Sequence, residues 1–234
     1  MYNRKIRHEE LAPEDLRVFY EDNHVIAVYK PAGILVQGDR SGDLPLVDVV
    51  KQYVKKKYEK PGEVYIGVVH RLDRPVSGVV LFARTSKAAA RLSSQWRART
   101  VKKTYWAVVH GVLQPENGTL NSFLREGRRK VKVGAEEDPV TQEASLSYRM
   151  LGTRNGFSLI EVLLHTGRKH QIRVQFAAAG CPIAGDVKYG GTGKVRVLLE
   201  SRSLTFTHPT RGDEITVESP VPEWAKDYLA GGTT

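Results

Sequence analysis

The chain is poor in cysteine, with one residue of this type, Cys181, in a length of 234. A single cysteine excludes an internal disulfide, and the seven histidines show no metal-ligand spacing around it. We therefore interpret Cys181 as a small buried hydrophobic residue. The sequence predicts neither a disulfide framework nor a metal cofactor.

Long hydrophobic runs are lacking as well. No apolar run approaches the roughly 20 residues of a membrane-spanning helix, and no signal-peptide pattern opens the chain. The glycine-rich segment 182–191 lacks the spacing of a phosphate-cradling nucleotide loop, which argues against a nucleotide cofactor. We expect a cytoplasmic protein that acts without a membrane and without a bound nucleotide.

Acidic residues are missing from one long stretch, because none occurs between Asp73 and Glu116. The whole chain carries 36 lysines and arginines against 26 acids, a formal net charge of +10. A surface that only meets water normally mixes its charges, whereas a basic stretch of this kind is typical of a surface that neutralises phosphates. The stretch predicts a polyanionic partner. Its cations are Arg74, Arg84, Lys87, Arg91, Arg97, Arg99, Lys102 and Lys103.

The remaining composition is that of a folded domain. With 41% hydrophobic residues the chain can bury a core, and no repeat, linker or change in composition divides it. We predict a single domain over 1–234, with a loose N-terminal arm over 1–13 and a polar tail over 225–234. Periodicity predicts strands at 18–20, 25–29, 64–69, 79–83, 104–109, 145–151, 157–164, 195–199, 204–207 and 214–217. The first two form a hairpin, and a turn containing Asn155-Gly156 joins the strands at 145–151 and 157–164. Residues 117–143 form an exposed hairpin or loop that carries a basic cluster, Arg125, Arg128, Arg129, Lys130 and Lys132.

Three helices are predicted from apolar residues at helical spacing. The first covers 46–54. The second is capped by Thr85-Ser86, and its buried stripe is Ala88, Ala89, Leu92 and Trp96, with Lys87 and Arg91 facing outward. The third follows residue 166, buries Ile172, Phe176 and Ala179, and ends at Gly180.

A cluster of charge, His70-Arg71-Leu72-Asp73-Arg74, lies between two of the apolar runs. A carboxylate between two arginines is held ionised, and a turn mounted on strands gives it a fixed orientation. Asp73 is therefore a candidate nucleophile or general base. The alternative is a solvated turn whose ion pairs contribute little. Arg168, at the start of the third helix, stands where the helix dipole favours an anion, so we expect it to face one.

Several motifs in order along the chain resemble the signatures of the RluA-type pseudouridine synthases, from about residue 25 to residue 224. The resemblance implies an α+β fold with a mixed, largely antiparallel sheet flanked by helices and loops, and an active cleft across its middle. It corresponds to the catalytic domain without the N-terminal S4-like domain of many relatives. The segments that carry it are His70–Arg74 with Ser77-Gly78, Lys103–Ala107, Thr166–Arg173, and Gly180–Asp186 with Tyr189-Gly190.

The implied activity is the isomerisation of uridine to pseudouridine in a structured RNA, rRNA or tRNA, by a monomer without metal or organic cofactor. In that reaction a C–N bond breaks, the uracil turns while it is held, and a C–C bond forms. The resemblance makes Asp73 the essential carboxylate, which either attacks the sugar C1′ or takes its 2′ proton. It makes Tyr105 the ring that stacks on the uracil or takes its proton, and it pairs Arg168 with Asp73.

Further residues are assigned to substrate binding by the same resemblance. Arg71 is the side chain that enters the RNA helix to occupy the space left by the flipped nucleotide, and Leu164 lines the pocket wall. We expect His70 and His170 to hold backbone or RNA phosphate rather than to act as general bases. The remaining residues assigned to substrate binding are Arg74, Lys103 and Arg173.

Two other functions compete with this hypothesis. A catalytically inactive RNA-binding protein could keep the same fold, but binding alone has no need of Asp73, Tyr105 and Arg168 together. A carboxylate glycosidase would require a second acidic residue facing Asp73 as proton donor. The long acid-free stretch offers none nearby.

Overall fold

The computed structural model describes residues 11–128, 130–136, 138–193 and 196–230. The chain divides into two compact units, the first formed by 1–101 and 203–219 and the second by 102–202 and 220–234. A single domain over the whole chain stays a prediction. Most of the predicted N-terminal arm, residues 1–10, lies outside the described residues, and Pro13–Asp15 forms a 3₁₀ turn.

Eleven strands and four helices are formed by the described residues, and the strand pairings inside each unit are antiparallel. The predicted α+β class with a mixed, largely antiparallel sheet is confirmed. In chain order the elements are β1 Val18–Glu21, β2 Val25–Lys30, α1 Leu46–Lys57, β3 Gly67–Val68, β4 Ser77–Ala83, α2 Ser86–Arg97, β5 Lys102–His110, β6 Asn117–Glu126, β7 Val131–Gly134, β8 Gln142–Arg154, β9 Phe157–Leu164, α3 Gln171–Ala178, β10 Leu199–Thr207, β11 Glu214–Glu218 and α4 Glu223–Ala230.

The first unit is built around β4, every residue of which is buried. Strand β2 pairs with β4 on one side and with β1 on the other, as the predicted hairpin requires. Helix α2 covers this layer with the predicted stripe, in which Ala88 and Leu92 are fully buried and Ala89 and Trp96 pack against the same cluster. Thr85 caps the helix by accepting a hydrogen bond from the backbone N–H of Ala88. The long β4 run therefore forms a rigid base for the segment that precedes it.

The predicted strand over 64–69 is much shorter in the structure. Only Gly67 and Val68 join the ladder with β4, while Val64 and Ile66 are buried without strand pairing and Tyr65 is exposed. Gly67 is closely packed, since a Cβ there would lie 2.8 Å from the hydroxyl oxygen of Tyr65 and 3.0 Å from the Cβ of Ala89. The apolar run is therefore an extended segment that packs on α2, with one short pairing at its end.

The second unit contains five strands in the order β5-β9-β8-β6-β7. Asn155 and Gly156 join β8 to β9 with φ angles of 51° and 76°, the positive pair that a type I′ hairpin turn requires, and this prediction is confirmed. In α3, Ile172 and Phe176 are buried as predicted, but Ala179 lies beyond the helix and is exposed. Gly180, at φ 78°, follows it.

The last elements of the chain differ from the prediction. A single strand, β10, covers 199–207 where two short strands were predicted at 195–199 and 204–207, and its polar residues Ser201 and Arg202 are buried. The guanidinium of Arg202 lies 5.0 Å from the ring centroid of Trp106. Helix α4 forms where a polar tail was predicted, and it packs so closely that a Cβ on Gly152 would lie 2.3 Å from the carbonyl oxygen of Tyr228.

Candidate functional site

The loop of residues 69–76, here called the Asp73 loop, connects β3 to β4 in the first unit. Leu72 is buried, and the side chains on either side of it differ in exposure, with Arg71 exposed and Asp73 half-buried. The backbone N–H of Val76 donates to the carbonyl oxygen of Asp73 at 3.0 Å and closes the turn. The buried side chain of Leu72 thus fixes the loop to the core, and the charged residues Arg71 and Asp73 flank it.

Lys30 contacts the backbone of this loop and stabilises it, a role that the sequence did not indicate. Its side chain is fully buried, and its Nζ donates to the carbonyl oxygens of Pro31 at 3.0 Å, Ile34 at 2.8 Å and Arg74 at 3.1 Å. Burial lowers the pKa of Lys30 to about 7, an effect that the Asp73 carboxylate opposes and the Arg74 charge reinforces. Three acceptors match the three N–H groups of an ammonium, whereas a neutral amine has only two.

Arg74, predicted to bind substrate, is engaged inside the first unit. Its Nε donates to the carbonyl oxygen of Gly33 at 3.0 Å, and its Nη2 forms an ion pair with Asp43. The backbone N–H of Gly33 in turn donates to the carbonyl oxygen of Arg74 at 2.7 Å, and the φ of 96° at Gly33 favours glycine there. The structure therefore gives Arg74 a structural role in fixing the loop next to Asp73.

His70 contacts backbone, one of the two partners expected for it. Its Nε2 accepts the N–H of Leu81 in β4 at 2.9 Å, and its ring stacks on Trp96 of α2 with centroids 4.8 Å apart and planes at 17°. A nitrogen that accepts a backbone N–H carries its lone pair and no proton. His70 therefore ties the Asp73 loop to both β4 and α2.

In the second unit, Tyr105 and Leu164 lie on one face of the β5–β9 pair. Tyr105 stands opposite Val162 in the register, and Leu164, two residues further along β9, points to the same side. Both side chains are only 8% exposed. The structure thus brings together the predicted aromatic residue and the predicted pocket wall.

Lys103 points to that same face and is only 9% exposed. Its Nζ lies 3.4 Å from the carbonyl oxygen of Thr166, under the turn that precedes α3. The sequence predicted Lys103 as part of an exposed basic surface that binds substrate. The exposed position is wrong, because strand alternation turns this lysine inward towards the 166–170 turn. Its role in substrate binding stays a prediction.

The turn before α3 presents Arg168. The Oε1 of Gln171 accepts from the Thr166 hydroxyl at 2.7 Å and from the Arg168 backbone N–H at 3.0 Å, which fixes the turn. The Nε of Arg168 donates to the carbonyl oxygen of Glu143 at 2.9 Å. Arg168 also lines a cavity of about 200 Å³ with residues of β6, β7 and β8, among them Leu124, Val131 and Gln142.

Arg173, also predicted to bind substrate, is buried in the second unit. Its Nε and Nη2 donate to the two carboxylate oxygens of Asp186 at 2.7 and 2.8 Å, a bidentate pair. Both side chains are buried. Arg173 thus joins α3 to the glycine-rich segment, through a partner 13 residues away that the local sequence did not indicate. Its role in substrate binding stays a prediction.

His170 and Tyr189 form the next contact along the same segment. His170 adopts a left-handed conformation with φ 54°, and its Nδ1 lies 2.6 Å from the Tyr189 hydroxyl oxygen. That oxygen also accepts the backbone N–H of Val131 in β7 at 3.1 Å. Tyr189, to which sequence analysis gave no role, thus joins the turn before α3 to the β6–β7 hairpin.

The predicted basic surface is only partly exposed. The prediction that Arg84 belongs to this surface is wrong. Its side chain is only 7% exposed and pairs with Glu21 at 3.1 Å, so it does not face solvent as a phosphate contact would. Lys87, Arg91, Arg97 and Arg99 are exposed. Lys102 is exposed as well.

The hairpin formed by β6 and β7, here called the basic hairpin, confirms the predicted exposed excursion. Two of its charges are balanced, since Arg125 pairs with Asp138 and Glu126 pairs with Lys169, each at 2.9 Å. The other cations of the predicted cluster are Arg128, Lys130 and Lys132, which are exposed, and Arg129, which lies outside the described residues.

In the part of the chain that the structure describes, no three histidine, cysteine, aspartate or glutamate residues are grouped so as to hold a metal ion. No helix among the same residues is long and apolar enough to cross a bilayer. Cys181 is half-buried rather than buried, and burial raises the pKa of its thiol.

Comparison with known proteins gives consistent findings. Residues 24–178 match the family described as RNA pseudouridylate synthase. Ribosomal large subunit pseudouridine synthase D of Xanthomonas campestris is 36% identical over 235 residues, covering 91% of this chain and 68% of that protein. The uncharacterized RNA pseudouridine synthase YhcT of Bacillus subtilis is 34% identical over 218 residues, covering 89% and 69%. The structure of human RNA Pseudouridylate Synthase Domain Containing 4 shares the fold, with a TM-score of 0.77, 24% identity and 89% coverage of both chains.

Proposed function

Because this chain belongs to the RNA pseudouridylate synthase family, as an isomerase of the RluA type, we propose that it converts specific uridines of rRNA or tRNA to pseudouridine. The observation that carries the proposal is the position of Asp73. It lies in the motif that resembles the family signature, and its loop is fixed on three sides, by Lys30, by Arg74 and by His70. A catalytic group needs such support, since displacement of a reacting atom by about 1 Å can lower the rate by about 10²-fold.

The reaction is an isomerisation, so its atoms balance without a co-reactant. The C1′–N1 bond of uridine breaks, the uracil turns, and a C1′–C5 bond forms while the proton of C5 is lost and N1 gains one. In our proposal the Asp73 carboxylate acts on the sugar, either as the nucleophile at C1′ or as the base for the 2′ proton. No redox step and no metal-bound intermediate is needed for these bond changes.

Tyr105 and Arg168 complete the proposed catalytic set. The aromatic ring of Tyr105, buried on one face of β5, either stacks on the uracil or takes its C5 proton. Leu164 on the same face supplies an apolar wall that retains the free base. Arg168 is proposed to pair with the Asp73 carboxylate and hold it ionised.

Arg71 is proposed to occupy the RNA helix after the target nucleotide is flipped out. Its exposed side chain, next to a buried leucine that fixes the backbone, suits insertion into a base stack. We place the protein in the cytoplasm as a monomer that needs no nucleotide. His170 belongs to the proposed RNA contacts through the turn that it shares with Arg168.

The test is a pseudouridine map of cellular RNA. Total RNA from a strain that lacks the gene is incubated with the purified protein, and new pseudouridines are mapped in rRNA and tRNA. We expect defined positions to be modified by the wild-type protein. Asp73→Asn, which is nearly isosteric, is expected to lower the rate by at least about 10³-fold while RNA affinity changes little.

Asp48→Asn provides the matched control, because it removes the same charge from an exposed ion pair on α1. It is expected to modify RNA at the wild-type rate. An absence of new pseudouridine with the wild-type protein would refute the proposed function. A loss of RNA binding in Asp73→Asn as large as its loss of rate would instead make Asp73 a structural residue.

A further inference from the structure

The outer face of α2 carries exposed cations and no acidic residue. We propose that this face binds the sugar–phosphate backbone of the RNA strand that flanks the target uridine, an inference that rests on the RNA substrate proposed above. The α2 surface is defined here by the exposed residues Lys87, Arg91, Ser94 and Arg97.

The inner side of the helix fixes which residues face outward. Ala88 and Leu92 are fully buried in the core of the first unit. Gln95 attaches the helix to β10, since its Nε2 donates to the carbonyl oxygen of Thr207 at 2.7 Å and its Oε1 accepts the N–H of the same residue at 2.9 Å. Lys87 and Ser94, seven residues apart, therefore lie together on the opposite side of the helix. The helix therefore fixes the backbone positions from which the side chains of the α2 surface extend.

The charges of this surface are not neutralised within the described part of the chain. Lys87 and Arg97 form no ion pair there, and the Nη1 of Arg91 donates to the carbonyl oxygen of Pro209 at 2.6 Å, which leaves its positive charge uncompensated. Arg84, just before the helix, differs from these residues because it is buried and paired with Glu21. Cations with internal partners have a structural use, whereas exposed cations without carboxylate partners are available to an anionic ligand.

The position of the surface connects it to the site. Trp96, in the last turn of α2, stacks on His70, which precedes Asp73 by three residues. The C-terminal end of α2 therefore adjoins the Asp73 loop. Lys87 and Arg97 are about 15 Å apart along the helix axis, at 1.5 Å per residue. That length corresponds to about four phosphates of one strand of a double helix, at roughly 3.4 Å of axis each.

The chemistry of the surface favours a nucleic acid over an acidic protein. A protein interface is built around a buried apolar or aromatic centre. Between the cations of α2 the exposed side chains are the small ones of Ala90, Ser94 and Ala98, which provide no such centre and allow a backbone to approach. A row of cations with small residues between them suits phosphates.

The test compares charge changes on two exposed helices of the same unit. Ser94→Glu introduces a negative charge in the middle of the α2 surface, and Gln52→Glu introduces the same charge on α1. The new glutamates stand three residues before Arg97 and four before Lys56, spacings that stabilise a helix. A second pair compares Lys87→Gln/Arg97→Gln with Lys55→Gln/Lys60→Gln, which alters exposed lysines in and after α1.

Binding is measured by fluorescence anisotropy with a fluorescein-labelled RNA stem-loop whose loop contains uridines. We expect Ser94→Glu to weaken binding about 5-fold more than Gln52→Glu does. We expect Lys87→Gln/Arg97→Gln to lower the slope of log K against log salt by about 1.5, at about 0.7 to 0.9 per lost contact, with no such change in its control.

Equal effects in the α2 variants and in their controls would overturn the proposal. So would variants that bind RNA as their controls do but lose affinity for poly-glutamate, which would assign the surface to an acidic polypeptide. Anisotropy does not depend on turnover, so a failure of the proposed reaction would leave this measurement valid. A urea midpoint equal to that of the wild-type protein shows that each variant is folded.

Discussion

The Asp73 loop and the basic hairpin both carry cations, but they are held in opposite ways. The side chain of Lys30, which supports the loop, is fully buried, and its Nζ is bonded to three carbonyl oxygens. Two charges of the hairpin, Arg125 and Glu126, form ion pairs at the surface, with Asp138 and Lys169, and its other described cations have no such partner. Exposed pairs contribute about 0 to 1 kcal/mol each, whereas leaving one buried polar group unsatisfied costs about 1 to 3 kcal/mol.

The difference indicates separate tasks for the two regions. A loop held by buried hydrogen bonds keeps its carboxylate in one place, which the proposed chemistry needs. The exposed cations of the hairpin can exchange carboxylate partners for RNA phosphates at little cost, which binding needs. Substitutions in the loop and its framework should therefore affect stability and rate, and substitutions in the hairpin should affect affinity and its salt dependence.

The largest effect is expected from Lys30→Met. Methionine fills a similar volume but removes the Nζ donor from the carbonyl oxygens of Pro31 and Ile34, and leaves that of Arg74 with the Gly33 N–H alone, so we expect the free energy of unfolding to fall by about 3 kcal/mol. At a temperature where the variant stays folded, kcat should fall with little change in KM, because Asp73 loses its support. Urea unfolding and single-turnover kinetics measure the two effects.

Lys55→Met, on the exposed side of α1, is the control for Lys30→Met and should leave both the stability and the rate unchanged. If Lys30→Met lowers the free energy of unfolding by less than about 1 kcal/mol, water must take over the hydrogen bonds that Nζ donates to the three carbonyl oxygens. The three carbonyl contacts would then not distinguish the loop from the hairpin.

A smaller effect is expected from Asp22→Asn in the framework of the first unit. Burial alone would raise the pKa of this carboxyl, but hydrogen bonds from the N–H groups of His24 and Val25, and from Tyr20 and His208, outweigh it and lower the pKa to about 2. Because the variant loses this charged acceptor, its free energy of unfolding should be lower by about 2 kcal/mol at neutral pH. Urea unfolding measured as a function of pH tests this.

The sign of the pH dependence follows from the lowered pKa. Between about pH 2 and the ordinary value of 3.8 the unfolded chain binds more protons at Asp22 than the folded chain does, so this contribution to stability rises with pH there. The difference between the wild-type protein and Asp22→Asn should therefore be full above about pH 4 and shrink as the pH falls towards 2. Asp138→Asn, which removes the ion-pair partner of Arg125, should lower the free energy of unfolding by less than about 0.5 kcal/mol, and an equal loss in both variants would contradict the comparison.

Local patterns predicted much of the fold. The apolar run of β4, the Thr85 cap of α2 and the Asn155-Gly156 turn each depend on residues within one element, and each is confirmed. The prediction of Asp73 as a candidate catalytic residue depends on a similar local pattern, because its arginine neighbours and the flanking strands are adjacent in sequence, and it stays a prediction. Helix α4 was missed because it is short and its charged residues suggested a polar tail.

Partners that are distant in sequence could not be predicted. Arg84 and Arg173 have the sequence context of exposed cations, but Glu21 lies 63 positions away from the first and Asp186 lies 13 away from the second. Lys30 precedes a proline at the end of a strand, a position typical of an exposed turn. The burial of its Nζ depends on the backbone at Arg74, 44 residues later, whose carbonyl oxygen accepts a hydrogen bond from it.

The smallest effect is expected in the hairpin itself, from replacing Arg128, Lys130 and Lys132 by alanine. These side chains are exposed and none of them forms an ion pair among the described residues, so the fold should keep its stability. If they bind phosphates, each lost contact should reduce the slope of log K against log salt by about 0.7 to 0.9, and KM should rise about 10-fold in low salt.

The rate at saturating RNA decides how the hairpin works. Loss of binding that is equal in the ground state and the transition state raises KM and leaves kcat unchanged, and this is the result that we expect for a hairpin that only attracts RNA. Arg149→Ala, on the exposed side of β8 and paired with Glu161, is a control in the same unit and should leave KM unchanged. A collapse of kcat at constant KM would show that the hairpin takes part in catalysis. An unchanged salt slope would show that its charges only keep the protein in solution, and the contrast with the Asp73 loop would then concern solubility rather than RNA binding.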